Sequence, residues 1–208
     1  MTAMSMVLVM MGATSSITRG AEDCPASVIT FATHFHIDYP HVLAPAFDTT
    51  LVSTSGDTSR VGFDRTTAHL SLNALGGVWV GERVLERFDV TGVPVGTVVQ
   101  ATVILRLNGE VFSAGGVGGG DANFTATIAT AADSVLLDAT VPGPCYGCTK
   151  PVHTTLALPV AITAGTPSEI AFDLLYHDTP AGYGSANVVG DYGITGLPPG
   201  VRAISCMT

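Results

Sequence analysis

Lysine is almost missing from this chain: Lys150 stands alone beside scattered arginines, and charged residues make up only 12% of 208 positions. Phosphate recognition needs clustered basic side chains, so a net charge of −9 with no basic patch argues against nucleic acid as the natural partner. There is one tryptophan, Trp79. No apolar run reaches the length of a membrane span; the longest, Met4 to Ala13, is about half of what a bilayer requires. No segment longer than about ten residues keeps a helical period, although Thr67 to Gly76 has room for one short helix. Also absent are a G-x-S-x-G nucleophile elbow, a second C-x-x-C, and a Lys-Ser or Lys-Thr after the glycine run Gly115 to Asp121. That run reads as a hairpin loop.

What is present points to extended chain. Val, Thr and 24 glycines dominate, a composition that favours strands and tight turns. Strand signals cover Val28 to Ile37, Phe47 to Ser53, Thr66 to Leu72, Val78 to Val80, Val84 to Val90 and Val98 to Leu107. They continue over Asn123 to Thr130, Ser134 to Thr140, His153 to Ile162, Glu169 to Tyr176, Ala186 to Ile194 and Val201 to Ser205. Val99, Ala101, Val103, Leu105 and Leu107 share one face, as do Leu156, Leu158, Val160 and Ile162, and Ile170, Phe172, Leu174 and Tyr176. Such alternation is what an antiparallel sheet with one buried face requires. Pro159 falls on the outward set and marks an edge or bulge. The fold expected is all-β, an antiparallel β-sandwich or jelly roll of about 10–12 short strands with little helix.

The N-terminus, M-T-A-M-S-M-V-L-V-M-M-G-A-T-S-S, reads as a leader core followed by small residues, without the usual basic start. Residues 1–21 are therefore expected to be a truncated signal peptide and residues 22–208 a single domain. Four cysteines suit an oxidising compartment: secreted, cell-surface or periplasmic. Four allow three connectivities. The expected one joins Cys24 to Cys206 across the termini and Cys145 to Cys148 as a local clip, worth about 5 and about 2 kcal/mol by chain entropy.

The densest cluster of chemistry is T-H-F-H-I-D-Y-P-H, Thr33 to His41. On a strand, His34, His36 and Asp38 share the outward face at spacings of roughly 7 Å. Two histidines at that spacing, completed by Asp38 or His41, suit Zn or Cu. The letters resemble the metallo-β-lactamase motif T-H-x-H-x-D-H over Thr33 to Asp38, but Tyr39 stands where its last histidine belongs and the motif's upstream strands are missing. A solvated strand face explains them first. A second zinc set draws on Cys145, Cys148, His153 and His177, and a calcium loop on Asp121, Asp133, Asp138, Asp173, Asp178 and Asp191. For sugar cleavage, Glu82 and Glu86 are the nearest approach to facing carboxylates, and they read as surface acid. One tryptophan and few tyrosines make a poor sugar platform.

The C-terminal stretch from Ala171 to Cys206 closes with G-L-P-P-G-V, Gly196 to Val201, followed by Ala203, Ile204 and Ser205. It resembles the end of exported bacterial β-sandwich proteins of the PEP-CTERM and choice-of-anchor kind, without their sorting tail. The resemblance covers about forty residues and implies a secreted or matrix-associated sandwich; it carries over no catalytic residue. The leading expectation is thus a non-catalytic structural or adhesive protein, self-associating or packed against extracellular matrix or cell-surface components. The alternative is a metal- or glycan-binding module on the His34/His36 face, needing no cofactor beyond Ca or Zn. A secreted hydrolase comes third.

Overall fold

The computed structural model describes residues 18–19, 27–33, 46–52, 58–64, 67–76, 79–115, 120–178 and 183–205. They form strands β1 (Thr18–Arg19), β2 (Ser27–Thr33), β3 (Ala46–Val52), β4 (Thr58–Asp64), β5 (His69–Leu75), β6 (Trp79–Thr91) and β7 (Val98–Ser113). Then follow β8 (Ala122–Ala129), β9 (Ser134–Val141), β10 (Cys148–Thr163), β11 (Ser168–Asp178), β12 (Gly184–Thr195) and β13 (Arg202–Ser205). No helix occurs among the described residues.

The strands make two sheets. The first has the order β1-β13-β6-β11-β8-β9, with β2 beside β6; the second has the order β10-β7-β12-β5-β4-β3. All pairs are antiparallel except the short β1–β13 pair, in which Thr18 and Arg19, inside the expected leader, lie opposite Ile204 and Ser205. β13 and β2 share one edge of β6: β13 pairs with Phe88 to Thr91 and β2 with Trp79 to Leu85.

Period-two patterning builds the interior. Val99, Ala101, Val103, Leu105, Leu107 and Val111 of β7 meet Ile170, Phe172, Leu174 and Tyr176 of β11 in one buried cluster. Phe172 and Tyr192 touch across the gap between the sheets, ring centroids 4.5 Å apart. This is a β-sandwich: each sheet turns its apolar face inward because only stacking two such faces removes both from water.

Three readings of the sequence need correction. Thr67 to Gly76 is not a short helix; Leu70, Leu72 and Ala74 are buried on strand β5. A strand, β4, occupies Thr58–Asp64, a stretch with too few apolar residues to signal one. Asn108-Gly109, letters that commonly mark a hairpin turn, is extended instead: β7 runs through it to Ser113. A Cβ on Gly109 would stand 2.1 Å from the Asn187 carbonyl oxygen, so glycine is needed there for close approach of β12, not for chain reversal.

Candidate interaction surfaces

The outward face of the second sheet is polar in rows. Register places Asp64, His69, Asp191 and Arg106 side by side on β4, β5, β12 and β7, and Asp48, Gly62, Ser71 and Val189 on β3, β4, β5 and β12. Gly62 leaves the second row without a side chain at its centre. The result is a hollow of about 330 Å³ lined by Ala46, Asp48, Gly62, Asp64, His69 and Ser71 with the Phe63 backbone stretch.

Two pre-formed charge pairs frame it. Arg60 grips Asp48 through two nitrogens, Nε at 2.7 Å and a second, shorter contact from its terminal nitrogen. The Arg60 guanidinium holds the Asp48 carboxyl below its ordinary value of 3.8, so Asp48 stays ionised. On the other side His69 Nδ1 lies 2.9 Å from Asp191 Oδ1. Each carboxylate is oriented by its partner yet keeps lone pairs for a further donor. Three carboxylates, Asp48, Asp64 and Asp191, share this face with two guanidiniums, Arg60 and Arg106, and the His69 ring, so it carries little net charge and gives no ionic advantage to a charged ligand.

The first sheet presents less. Trp79 is half exposed, and its ring meets that of His177 at a tilt of 56°, centroids 3.9 Å apart. Burial lowers His177 from its ordinary 6.5, favouring the neutral ring against the indole. Further along, Arg83 forms a forked pair with Asp173, at 2.6 and 3.0 Å.

The carboxylates singled out for sugar cleavage lie elsewhere than expected. Glu82 and Glu86 are not surface acids: both point into the core and are essentially fully buried. At four strand residues apart they sit about 13 Å from each other along β6, beyond the reach of a paired-carboxylate mechanism. Alternation placed them there; charge alone suggested otherwise. Glu86 is well served, by the Tyr192 hydroxyl across the sandwich and by Ser205 Oγ at 2.6 Å. Glu82 has no hydrogen-bond partner for either oxygen. Burial pushes its carboxyl well above the ordinary 4.5, with the Ser71 backbone pulling more weakly the other way.

Cys145 and Cys148 are joined as a disulfide, Cα atoms 5.5 Å apart, so they do not supply thiolates to a zinc site with His153 and His177. The aspartates proposed for calcium are dispersed: Asp121 accepts from the Gly143 amide, Asp133 from Ser134, Asp138 from Thr140, and Asp173 from Arg83. Asp178 accepts from Gly184, and Asp191 meets His69. Among the described residues no three His, Cys, Asp or Glu side chains gather as a metal site. His34, His36, Asp38, His41, Cys24 and Cys206 lie outside the described residues. No described helix is long and apolar enough to cross a membrane.

Fold and surfaces together define a two-sheet β-sandwich with a preformed polar hollow on one outer face. No protein-family model and no curated protein matches the chain. Among solved structures it is similar to TmCBM61 in complex with beta-1,4-galactotriose, at 7% identity over 73% of this chain and 88% of that one, with a TM-score of 0.29. It is also similar to a structure of infectious bursal disease virus Gx strain, at 12% identity over 91% of this chain and 60% of that one, with a TM-score of 0.17. Likenesses this low carry nothing further.

Proposed function

We propose that this chain is an exported, non-catalytic structural or adhesive module, and that the hollow over Gly62 is where it holds a neutral, hydroxylated ligand such as a glycan of a matrix or cell surface. The observation that carries this reading is the pair of fixed couples, Arg60–Asp48 and His69–Asp191, on opposite sides of an unfilled strand position. Carboxylates already oriented by a partner lose little freedom on accepting hydroxyl hydrogens, and neighbouring hydroxyls of a sugar suit such acceptors. The non-catalytic part draws support from the sealed position of Glu82 and Glu86.

Titration of neutral and acidic oligosaccharides into the full chain, followed by calorimetry and by amide chemical shifts, tests the proposal. Neutral oligosaccharides should perturb β3–β5 amides. Asp48→Ala and His69→Ala should each weaken binding about tenfold or more, the loss expected for a hydrogen bond to a charged group. Asp138→Ala, on the other sheet, should not. Absence of binding by any neutral oligosaccharide, or binding indifferent to Asp48 and His69, overturns it.

A further inference from the structure

The chain has four asparagines, Asn73, Asn108, Asn123 and Asn187, and only Asn123 is followed two places on by a hydroxyl residue. N-F-T, Asn123 to Thr125, is the acceptor pattern for Asn-linked glycosylation of exported chains. Three letters also match by chance, so the weight of this match rests on where the fold puts it. Alternation along β8 turns Phe124 wholly into the core and leaves Asn123, Thr125 and Thr127 on the outer face of the first sheet. The acceptor amide and the hydroxyl that marks it therefore share one side of the strand, the side away from the core.

Acceptors of this kind usually lie in loops, and β8 is an inner strand. Chain order gives it access. β8 lies between β9 and β11, both of which follow it, and β11 begins only at Ser168. While the chain is emerging, β8 has neither neighbour and can enter a transferase as an extended segment. The finished fold leaves room for the product. Trp79, His177, Asn123 and Thr140 make one row across β6, β11, β8 and β9. On the β9 side, Asn123 Nδ2 donates to Thr140 Oγ1 at 2.8 Å, and Thr140 Oγ1 donates to Asp138 Oδ1 at 2.7 Å. A carboxamide nitrogen carries two hydrogens. Besides Thr140, the only other acceptor for Asn123 is Asp138 Oδ1, at the long distance of 3.5 Å. One hydrogen can thus be replaced while the Thr140 bond is kept. On the other side the row runs over His177 to the half-exposed Trp79, about 5 and about 10 Å from Asn123 by strand spacing.

We infer that Asn123 carries an N-linked oligosaccharide whose first sugars lie along this row, over His177 and against the Trp79 ring. The donor class is an oligosaccharide joined to a lipid through pyrophosphate. Asn123 Nδ2 attacks the anomeric carbon, and the N–C bond forms as the C–O bond to pyrophosphate breaks. The bonding pair leaves with the lipid pyrophosphate, and one Nδ2 proton passes to a carboxylate of the transferase. The β9 side of the amide is held by Thr140, which directs the substituent toward β11. There an indole, apolar on its face and polar at its edge, suits the mixed surface of a sugar ring. The glycan covers the outer face of the first sheet and leaves the Gly62 hollow, on the other sheet, open. The inference shares with the proposed function only the export of the chain. An unmodified Asn123 beside an intact ligand site at Gly62 sinks this inference alone, and a glycosylated chain without that ligand site sinks only the other.

Peptide mapping by mass spectrometry of the full chain, purified from the cells that produce it, tests the inference. The peptide spanning Asn123 should carry a whole number of sugar residues on that side chain. Asn123→Gln and Thr125→Ala, made in the same cells, should lose the added mass completely, whereas Thr125→Ser should keep it. T125A retains Asn123 and its bond to Thr140, so with unchanged circular dichroism its loss of sugar reports the acceptor pattern and not a failure to fold. Trp79 is the only tryptophan, and acrylamide should quench its fluorescence more strongly in T125A than in the glycosylated wild type. Unmodified Asn123 in the wild type, added mass that persists in T125A, or equal quenching in the two forms would each overturn the inference.

Discussion

Glu82 shows how one residue can be at odds with its surroundings. Its carboxyl is buried with no hydrogen-bond partner, so the folded chain holds it protonated while the unfolded chain ionises it near the ordinary 4.5. The unfolded state therefore binds fewer protons above that pH, and stability falls as pH rises through the window between the unfolded and the raised folded value. Glu82→Gln should flatten that decline, and Glu82→Leu should add about 1–3 kcal/mol at neutral pH, the cost of an unsatisfied buried polar group. Urea unfolding at acidic, neutral and alkaline pH checks both. A pH-independent gap between wild type and E82Q contradicts the assignment. Glu86, two inward positions further along β6, offers the contrast: Tyr192 and Ser205 satisfy it, and the two sheets are tied through it.

Among the elements, β10 is the one most shaped by its place. It is the outer strand of the second sheet, and it carries Pro151 and Pro159, both opposite residues of β7 at an even spacing of positions. A proline lacks the N–H that a ladder needs, so both must turn their nitrogens away from β7, and they deny that donor to any strand approaching the edge. Edge-on strand addition is therefore disfavoured at β10. The clip before β10 acts locally. Cys145–Cys148 closes a very short loop, so replacing both cysteines by serine should cost only about 2 kcal/mol in thermal or denaturant unfolding and leave the β-sheet spectrum unchanged. A loss far above that means that the clip organises more than its own turn. The same scale explains what was and was not legible. Val99 to Leu107 and Ile170 to Tyr176 could be read directly, because alternation of bulk is a property of neighbouring letters. The extension of β7 through Asn108-Gly109 could not, because what keeps that pair extended is the approach of Asn187 from β12, nearly eighty positions away.

For the whole molecule, eight of the eleven described strand pairs join strands that are not consecutive, and β7 meets partners on either side that follow it by dozens of residues. Loop closure must precede those pairings, so refolding should run on the millisecond-to-second scale typical of sandwiches; stopped-flow fluorescence of Trp79 reads it, and completion within microseconds contradicts this topology. Composition and alternation by themselves determined that this chain stacks two β-layers, which residues face the core, and that Pro159 marks an edge or a bulge. Each follows from a period or a balance summed over neighbours. Only the tertiary structure decided that Glu86 meets Tyr192 and Ser205 while Glu82 meets no donor, and that Asp48 and His69 frame a hollow. Those facts depend on which strands become neighbours and on where glycines let backbones touch, and neither is written in any local stretch of sequence.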